Sequence, residues 1–382
     1  MRIAYVCTDP GIPVWGMKGA SIHVQEMLRA FLARGAEVTL ISPRIEGAPP
    51  AGLEPVRTLA LPAIGKGEAE ARARRQLALN EAVAAALAGL GHLDLIYERH
   101  ALFAHAAMDH ARRHATASVL EVNAPLIDEQ ARHRTLALPE AARTATRRVF
   151  AAAGTVVAVS EGVATYARAH GAARIAVIAN GVDPARFPPR PAPEGPFTFG
   201  FLGTLKPWHD VPILIEALAQ LRAGPVADAR LLIVGDGPER PVLEAQLAAM
   251  GLMQAARFTG ALPPAEVPDA LAHMHAAVAP YAAGSPFYFS PLKLYEYMAA
   301  GLPVVASAVG DLDRVIEAGR TGLLVLPGDA RALAATLARL AADPALRARL
   351  GCAARAEVLA HHSWSSVAGR VLVLAGLARC AA

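Results

Sequence analysis

SPLKLYEYMAAGLPVVASAVG, residues 290–310, falls into two halves that set how the rest of the chain is read. Leu292, Leu294, Tyr295 and Met298 recur at helical spacing, Ala299-Ala300-Gly301 ends the pattern, and LPVVAS follows as a short β-branched run. A helix that stops at glycine and passes at once into an apolar strand is half of a βαβ unit. The opening of that helix offers unpaired backbone N–H groups and a partial positive charge, Lys293 adds a full charge, and Glu296 can accept hydrogen bonds from a ribose diol. The segment therefore reads as a holder of a nucleoside diphosphate. The same residues also read as an ordinary amphipathic helix with Lys293 in solvent, and the segment alone does not decide between the two.

Working outward, the same alternation covers the chain. RIAYVC, EVTLIS, LDLIYE, SVLEV, TVVAVS and RIAVIAN read as strands in the first half, with Ala-rich helical patterns between them. After the first strand comes the loop TDPGIPVWGMKGA, and then a helix carrying Val24, Met27, Leu28 and Phe31 on one face before Gly35 stops it. Open parallel sheets bind ligands at the carboxyl ends of their strands, which puts Gly16, Lys18, Gly19 and Ser21 where a substrate meets a helix N-terminus. Residues 180–197, NGVDPARFPPRPAPEGPF, hold six prolines and no apolar period, and mark a linker. A second set then begins with FTFGFLG, ARLLIVGDG, AARFTG, AAVAPY, LPVVAS and GLLVLP, and Asp343-Pro344 reads as the cap and first position of a late helix. The fold class expected is α/β with two doubly wound Rossmann-like domains, residues 1–187 and 196–362, followed by a last helix over 363–382.

At 382 residues, with 54% hydrophobic and 18% charged residues, the chain can bury two cores. No apolar stretch is long enough to span a membrane, and MRIAYVCTDPG reads as a first strand rather than a secretory signal, so a cytoplasmic protein is expected. Cys7, Cys352 and Cys380 show no metal-ligand spacing. Residues 1–190 carry 22 Lys+Arg against 17 Asp+Glu, a net +5, and the remainder 15 against 16, a net −1. The basic groups Arg72/Arg74/Arg75, Arg112/Arg113 and Arg143/Arg147/Arg148 are read as solvated helix faces, with peripheral contact to anionic lipid at the inner membrane face, or to a phosphorylated acceptor, as the alternative. Aromatic residues make up 5% of the chain and no nucleic-acid motif is present, so nucleic acid is not an expected partner.

KGASIHVQEMLRAFLARGAEVTL, VAVSEGV, IANGVDPARF, FLGTLKPWHD, LLIVGDGPER, RFTGALPPAEVPDAL and SPLKLYEYMAAGLPVVASAVGDLDRVIEAGRTGLLVLPGD, in this order, resemble the retaining glycosyltransferases of family 4 (glycosyl transferases group 1) over nearly the whole length. That resemblance implies the GT-B fold: two Rossmann-like domains facing across a cleft, with the last helix packing back on the first domain. It implies transfer of a sugar from a nucleotide diphosphate sugar to an acceptor, with no metal or other cofactor. The C-terminal domain would bind the donor and the N-terminal domain the acceptor, which could be a glycan, a glycolipid or a secondary metabolite. The implied donor residues are Gly19, Gly203, Thr204, Lys206, His209, Ser290, Leu292, Lys293 and Glu296. Lys18, Ser21, Glu98, Arg99, Glu121 and Asn123 are the acceptor-side candidates, although a surface helix would explain Glu98 and Arg99 as well. Backbone groups of FTGALPPAEV would meet the base.

The chain departs from the family pattern in three places, the first of them a pair of residues. Thr204 and His209 stand where the family commonly has an arginine and a lysine that stabilise the departing diphosphate, which leaves Lys293 first, then Lys206 and His209, as its catalytic cations. Of the family's paired glutamates Glu296 matches the second, while Tyr288 stands at the first, so sugar recognition is expected from the Ser285–Ser290 loop. Asn123 stands after SVLEV, where family members often carry a histidine; an amide can orient a hydroxyl but cannot take its proton. A nucleotide-sugar epimerase of the same fold, or a nucleotide-sugar binding protein with a degenerate site, are the competing readings.

Overall fold

A computed structural model describes residues 1–284, 290–310 and 312–378. The chain divides into two compact units: residues 1–180 with Ser290 and the segment from Trp364 onward, and residues 181–284 with the stretch from Pro291 to Ser363.

The first unit is built on seven strands, β1 (Arg2–Cys7), β2 (Glu37–Ser42), β3 (Arg57–Ala60), β4 (Leu95–Arg99), β5 (Ala117–Val122), β6 (Thr155–Ala158) and β7 (Ile175–Val177). They are ordered β3-β2-β1-β4-β5-β6-β7, every neighbouring pair parallel, so every connection is a crossover. Alternate residues feed two cores: Ala4, Val6, Ile96, Leu120 and Val122 one, and Ile3, Tyr5, Leu95, Tyr97 and Val119 the other. Burial on both faces explains why these strands read as continuous apolar runs. The second core also takes Val24, Met27, Leu28 and Phe31 from the Gly19–Leu32 helix, and Val367, Ala368, Val371 and Leu372 from the Trp364–Leu374 helix. Arg34 Nη2 donates to the Ser365 carbonyl at 2.6 Å, and Arg370 Nη2 to that of Val177 at 3.2 Å. β3, where only Leu59 is partly buried against the core, is the strand its sequence does not announce.

The second unit holds β8 (Thr198–Leu202), β9 (Arg230–Val234), β10 (Ala256–Phe258), β11 (Ala276–Ala279), β12 (Val304–Ser307) and β13 (Leu323–Val325), ordered β10-β9-β8-β11-β12-β13 and again all parallel. Between the two sheets, Pro184–Arg186 forms a single 3₁₀ turn capped by Asp183, and no strand or longer helix forms before β8. Pro344 is the first residue of the Pro344–His361 helix, whose Leu346 N–H is held by Asp343 Oδ1 at 2.8 Å.

In each sheet the order reverses at one place, between β1 and β4 in the first and between β8 and β11 in the second. Such switch points leave a crevice outside the carboxyl ends of the strands.

Candidate functional site

At the switch point of the second unit, β8 and β11 pair only at Phe199–Ala276 and Gly200–Ala277. Beyond that the strands part, and the Tyr297 hydroxyl fills the gap, accepting from Leu202 N–H at 2.6 Å and donating to the Val278 carbonyl at 3.4 Å. Tyr297 lies on the Leu292–Ala299 helix, so the element that wedges the crevice open also carries Lys293 and Glu296. The loop after β8 turns at Gly203 (φ 144°), and a Cβ on Gly235, in the loop after β9, would lie 2.0 Å from the Gly203 carbonyl oxygen. Only backbone fits where these two loops touch.

Lys293 reaches into this corner. Its Nζ is buried, has no hydrogen-bond partner among the described residues, and lies 4.2 Å from the Phe201 ring centroid and 5.3 Å from that of Tyr281. Burial, only partly offset by Glu296, brings its pKa down to about 7, so the reading of Lys293 as a solvated surface cation is overturned. Glu296 is pushed the other way, up to about 7, by burial acting against the nearby Arg186 and Lys293. Arg186, whose Nη2 donates to the Pro264 carbonyl at 2.7 Å, is a participant that sequence reasoning missed. No side chain caps the Leu292–Ala299 helix, whose N-cap is Pro291.

His209 is within the same corner but is not the cation expected of it. Its Nδ1 is 2.8 Å from the Thr204 carbonyl oxygen, which makes Nδ1–H the donor and leaves Nε2 bare. Burial first, and then the charge of Lys293, lower its pKa to about 4, so the ring is neutral at physiological pH. Lys206 leans on Trp208, Nζ to centroid 5.8 Å, and the Thr204 side chain is exposed. Leu292 is half-buried in the first turn of the helix. Ser290, read as part of the donor segment, falls instead in the first unit, its Oγ accepting from Asn180 N–H at 3.1 Å. Tyr288 and the loop from Ser285 up to Ser290 lie outside the described residues.

In the first unit Glu98 and Arg99 belong to β4 rather than to a surface helix, and Glu98 is 1% exposed. Their side chains enter opposite layers because residues alternate along a strand. On the side of the Gly19–Leu32 helix, His23 Nε2 is 2.7 Å from Glu121 Oε1 and Arg99 Nη1 is 3.4 Å from Glu121 Oε2. Burial works against the charge on Glu121, but His23 and Arg99 outweigh it and hold the carboxyl down to about 2. Burial keeps His23 below the usual imidazole range although Glu121 works against it, and the His23 Nε2–H donates to the carboxylate. His23 stands in KGASIHVQE, and its only sequence signal is its place one turn into the first helix. Asn123 follows β5 with Nδ2 buried and without a hydrogen-bond partner among the described residues, as is Ser21 Oγ, while Gly19 and Lys18 are exposed at the helix start. The arginine clusters are partly neutralised locally: Arg74 pairs with Glu70, Arg143 with Glu140, and Arg148 with Asp109. Among the described residues no group of three or more His, Cys, Asp or Glu could hold a metal ion, and no helix is long and apolar enough to cross a membrane.

Residues 17–186 match the profile of Glycosyltransferase Family 4, and residues 196–343 that of Glycosyl transferases group 1. The chain belongs to this glycosyltransferase family. Glycogen synthase of Mycobacterium tuberculosis is 35% identical over 52% of this chain and 47% of its own length, and the chain spans about half the length of the curated relatives it matches. Two solved structures share the fold over 98% of both chains. Sucrose-phosphate synthase from Thermosynechococcus elongatus is 24% identical with a TM-score of 0.71, and Anabaena HepE in complex with UDP and glucose is 20% identical with a TM-score of 0.68. The two-unit, parallel-sheet architecture of the chain is thus that of GT-B structures.

Proposed function

We propose that the protein transfers a sugar from a nucleoside diphosphate sugar to an acceptor hydroxyl, with retention at the anomeric carbon and without a metal ion. The observation that carries this reading is the position of Lys293: a buried amine with no hydrogen-bond partner among the described residues, beside the Gly203 turn, at the opening of a helix without a side-chain cap. A diphosphate there meets a cation and backbone N–H groups together. Glu296, three residues along the same helix, is the carboxylate for the ribose diol.

In the reaction the bond from the anomeric carbon to the phosphate oxygen breaks and its electron pair stays on that oxygen. The acceptor oxygen forms the new bond on the same face, and its proton passes to the departing phosphate oxygen, so no side chain has to act as base. Lys293 and the helix start stabilise the negative charge that develops, and Asn123, whose Nδ2 has no hydrogen-bond partner among the described residues, orients the acceptor hydroxyl. Incubation with nucleotide sugars and candidate acceptors, in the presence and absence of EDTA, tests this. The expected products are free nucleoside diphosphate and a glycoside whose anomeric proton coupling matches the donor's. An isomerised nucleotide sugar, an inverted glycoside, or activity that EDTA abolishes and magnesium or manganese restores would contradict it.

A further inference from the structure

The 3₁₀ turn Pro184–Arg186 and the residues after it belong to the second unit and are tied to it on two sides. On one side Arg186 Nη2 donates to the Pro264 carbonyl at 2.7 Å, and Arg190 Nη2 bonds Asp269 Oδ1, so both arginines grip the segment that follows β10. That segment starts at the carboxyl edge of the sheet, where Gly260 bridges Gly235, whose own loop meets the Gly203 turn. Its residues are those of FTGALPPAEV, the stretch expected to meet the base.

On the other side the Phe187 side chain is 1% exposed, and Arg355 Nη1 donates to the Phe187 carbonyl at 2.5 Å and also to the Ala299 carbonyl. One donor shared by these two carbonyls sets Phe187 beside the last turn of the Leu292–Ala299 helix, the turn that Glu296 begins. Arg186, the next residue back, is the cation that Glu296 feels most strongly, ahead of Lys293. A guanidinium that spends one nitrogen on the Pro264 carbonyl keeps further donors and a permanent charge. Burial opposes the Glu296 carboxylate, and a fixed cation from outside its helix favours the ionised form that accepts from hydroxyls.

We propose that Arg186 is a positioning residue for the donor nucleotide: it braces the base loop through Pro264 and readies the Glu296 carboxylate for the ribose diol, so that the site favours ribonucleotides over 2′-deoxyribonucleotides. The inference rests on the transferase reading, which puts the nucleotide at Glu296. Arg190 provides the comparison. It grips the same segment but is 41% exposed, pairs an exposed carboxylate and does not act on Glu296, so its loss removes bracing alone.

A thermal-shift panel of uridine, guanosine and adenosine diphosphates selects the nucleotide, and calorimetric Kd values for it and its 2′-deoxy counterpart, in EDTA, test the proposal. The variants are Arg186→Gln, which keeps a donor for the Pro264 carbonyl without the charge, Arg186→Lys, Arg190→Met and Glu296→Gln. The wild type should prefer the ribonucleotide by about tenfold or more, the worth of a hydrogen bond to a charged group. Arg186→Gln should cut that preference by about threefold or more, equivalent to half a pK unit at Glu296, and Arg186→Lys should keep most of it. Arg190→Met should weaken both nucleotides alike. Glu296→Gln should lower the preference, and adding Arg186→Gln to it should lower it no further. An undiminished preference in Arg186→Gln, an equal loss in Arg186→Lys or Arg190→Met, or a further loss on top of Glu296→Gln would overturn the proposal while leaving the transferase reading in place. Failure of the wild type to bind any of the three diphosphates would overturn the transferase reading, and the proposal with it.

Discussion

Lys293 and Glu296 stand three residues apart on one helix, and burial opposes the charge on both. In the unfolded chain Glu296 gives up its proton near 4.5, but the folded protein keeps it to about 7. Between those values the native state binds more protons, so stability falls as pH rises through that window. Lys293 works in the opposite sense: unfolded it holds its proton to about 10.5 and folded it releases it near 7, so stability rises with pH above neutrality. The unliganded protein is therefore expected to show a stability minimum from this pair near pH 7, with slopes of at most about 1.4 kcal/mol per pH unit for each group. Urea denaturation across this range should show that minimum in the wild type and a flatter profile in Lys293→Met/Glu296→Gln. An identical profile in the double variant would mean that the two groups are solvated. A bound diphosphate and ribose reverse both penalties, because phosphate favours the charged amine and hydroxyl donors favour the carboxylate. His209, already neutral at physiological pH, has no such part, so His209→Gln should leave the shape of the alkaline limb of activity unchanged.

The helix that carries this pair also holds the sheet open. Tyr297→Phe removes the group bonded to Leu202 N–H and the Val278 carbonyl, and should cost about 1–3 kcal/mol in a denaturation experiment. A cost near zero would show that the wedge is supported by packing alone. Gly235→Ala should be worse tolerated than a change at an open glycine such as Gly251, because its Cβ would meet the Gly203 carbonyl at 2.0 Å. Much of this element level can be read in the chain. β-Branched runs mark the strands buried on both faces, and the Asp343-Pro344 cap stands where its residue types place it. β3 is missed because RTLA lies on the edge of its sheet with only Leu59 partly buried, too little to display an apolar pattern. Tyr297 reads as one more core aromatic, since its role depends on strands far away in sequence, and Arg186 and His23 are hidden for the same reason: their partners are distant along the chain. Glu98 and Arg99 could be taken for helix-surface residues because charged side chains seldom end a buried strand unless a site requires them.

Taken whole, the chain carries two switch-point crevices, one in each parallel sheet, and each unit holds buried polar atoms without a hydrogen-bond partner among the described residues: Lys293 Nζ in the second unit, and Glu98 Oε2 and Thr8 Oγ1 in the first. The family pattern matches the order of elements, and in the proposed reading Lys293, whose Nζ lies 4.2 Å from the Phe201 ring centroid, supplies the cation that Thr204 and His209 do not. Lys293→Ala should lower the transfer rate by about 10²–10³ across the pH range, the loss expected when a preorganised charge-stabilising group is removed. Nucleotide affinity carries the sharper signal. With the nucleoside diphosphate that most stabilises the protein in a thermal-shift panel, calorimetric Kd values can be measured from pH 6 to pH 9, in EDTA, for the wild type and Lys293→Arg. If Lys293 is the diphosphate cation, wild-type affinity should weaken above about pH 7, approaching tenfold per pH unit, while the arginine variant stays nearly flat because a guanidinium keeps its charge. A flat wild-type profile, or the same slope in both proteins, would contradict the account.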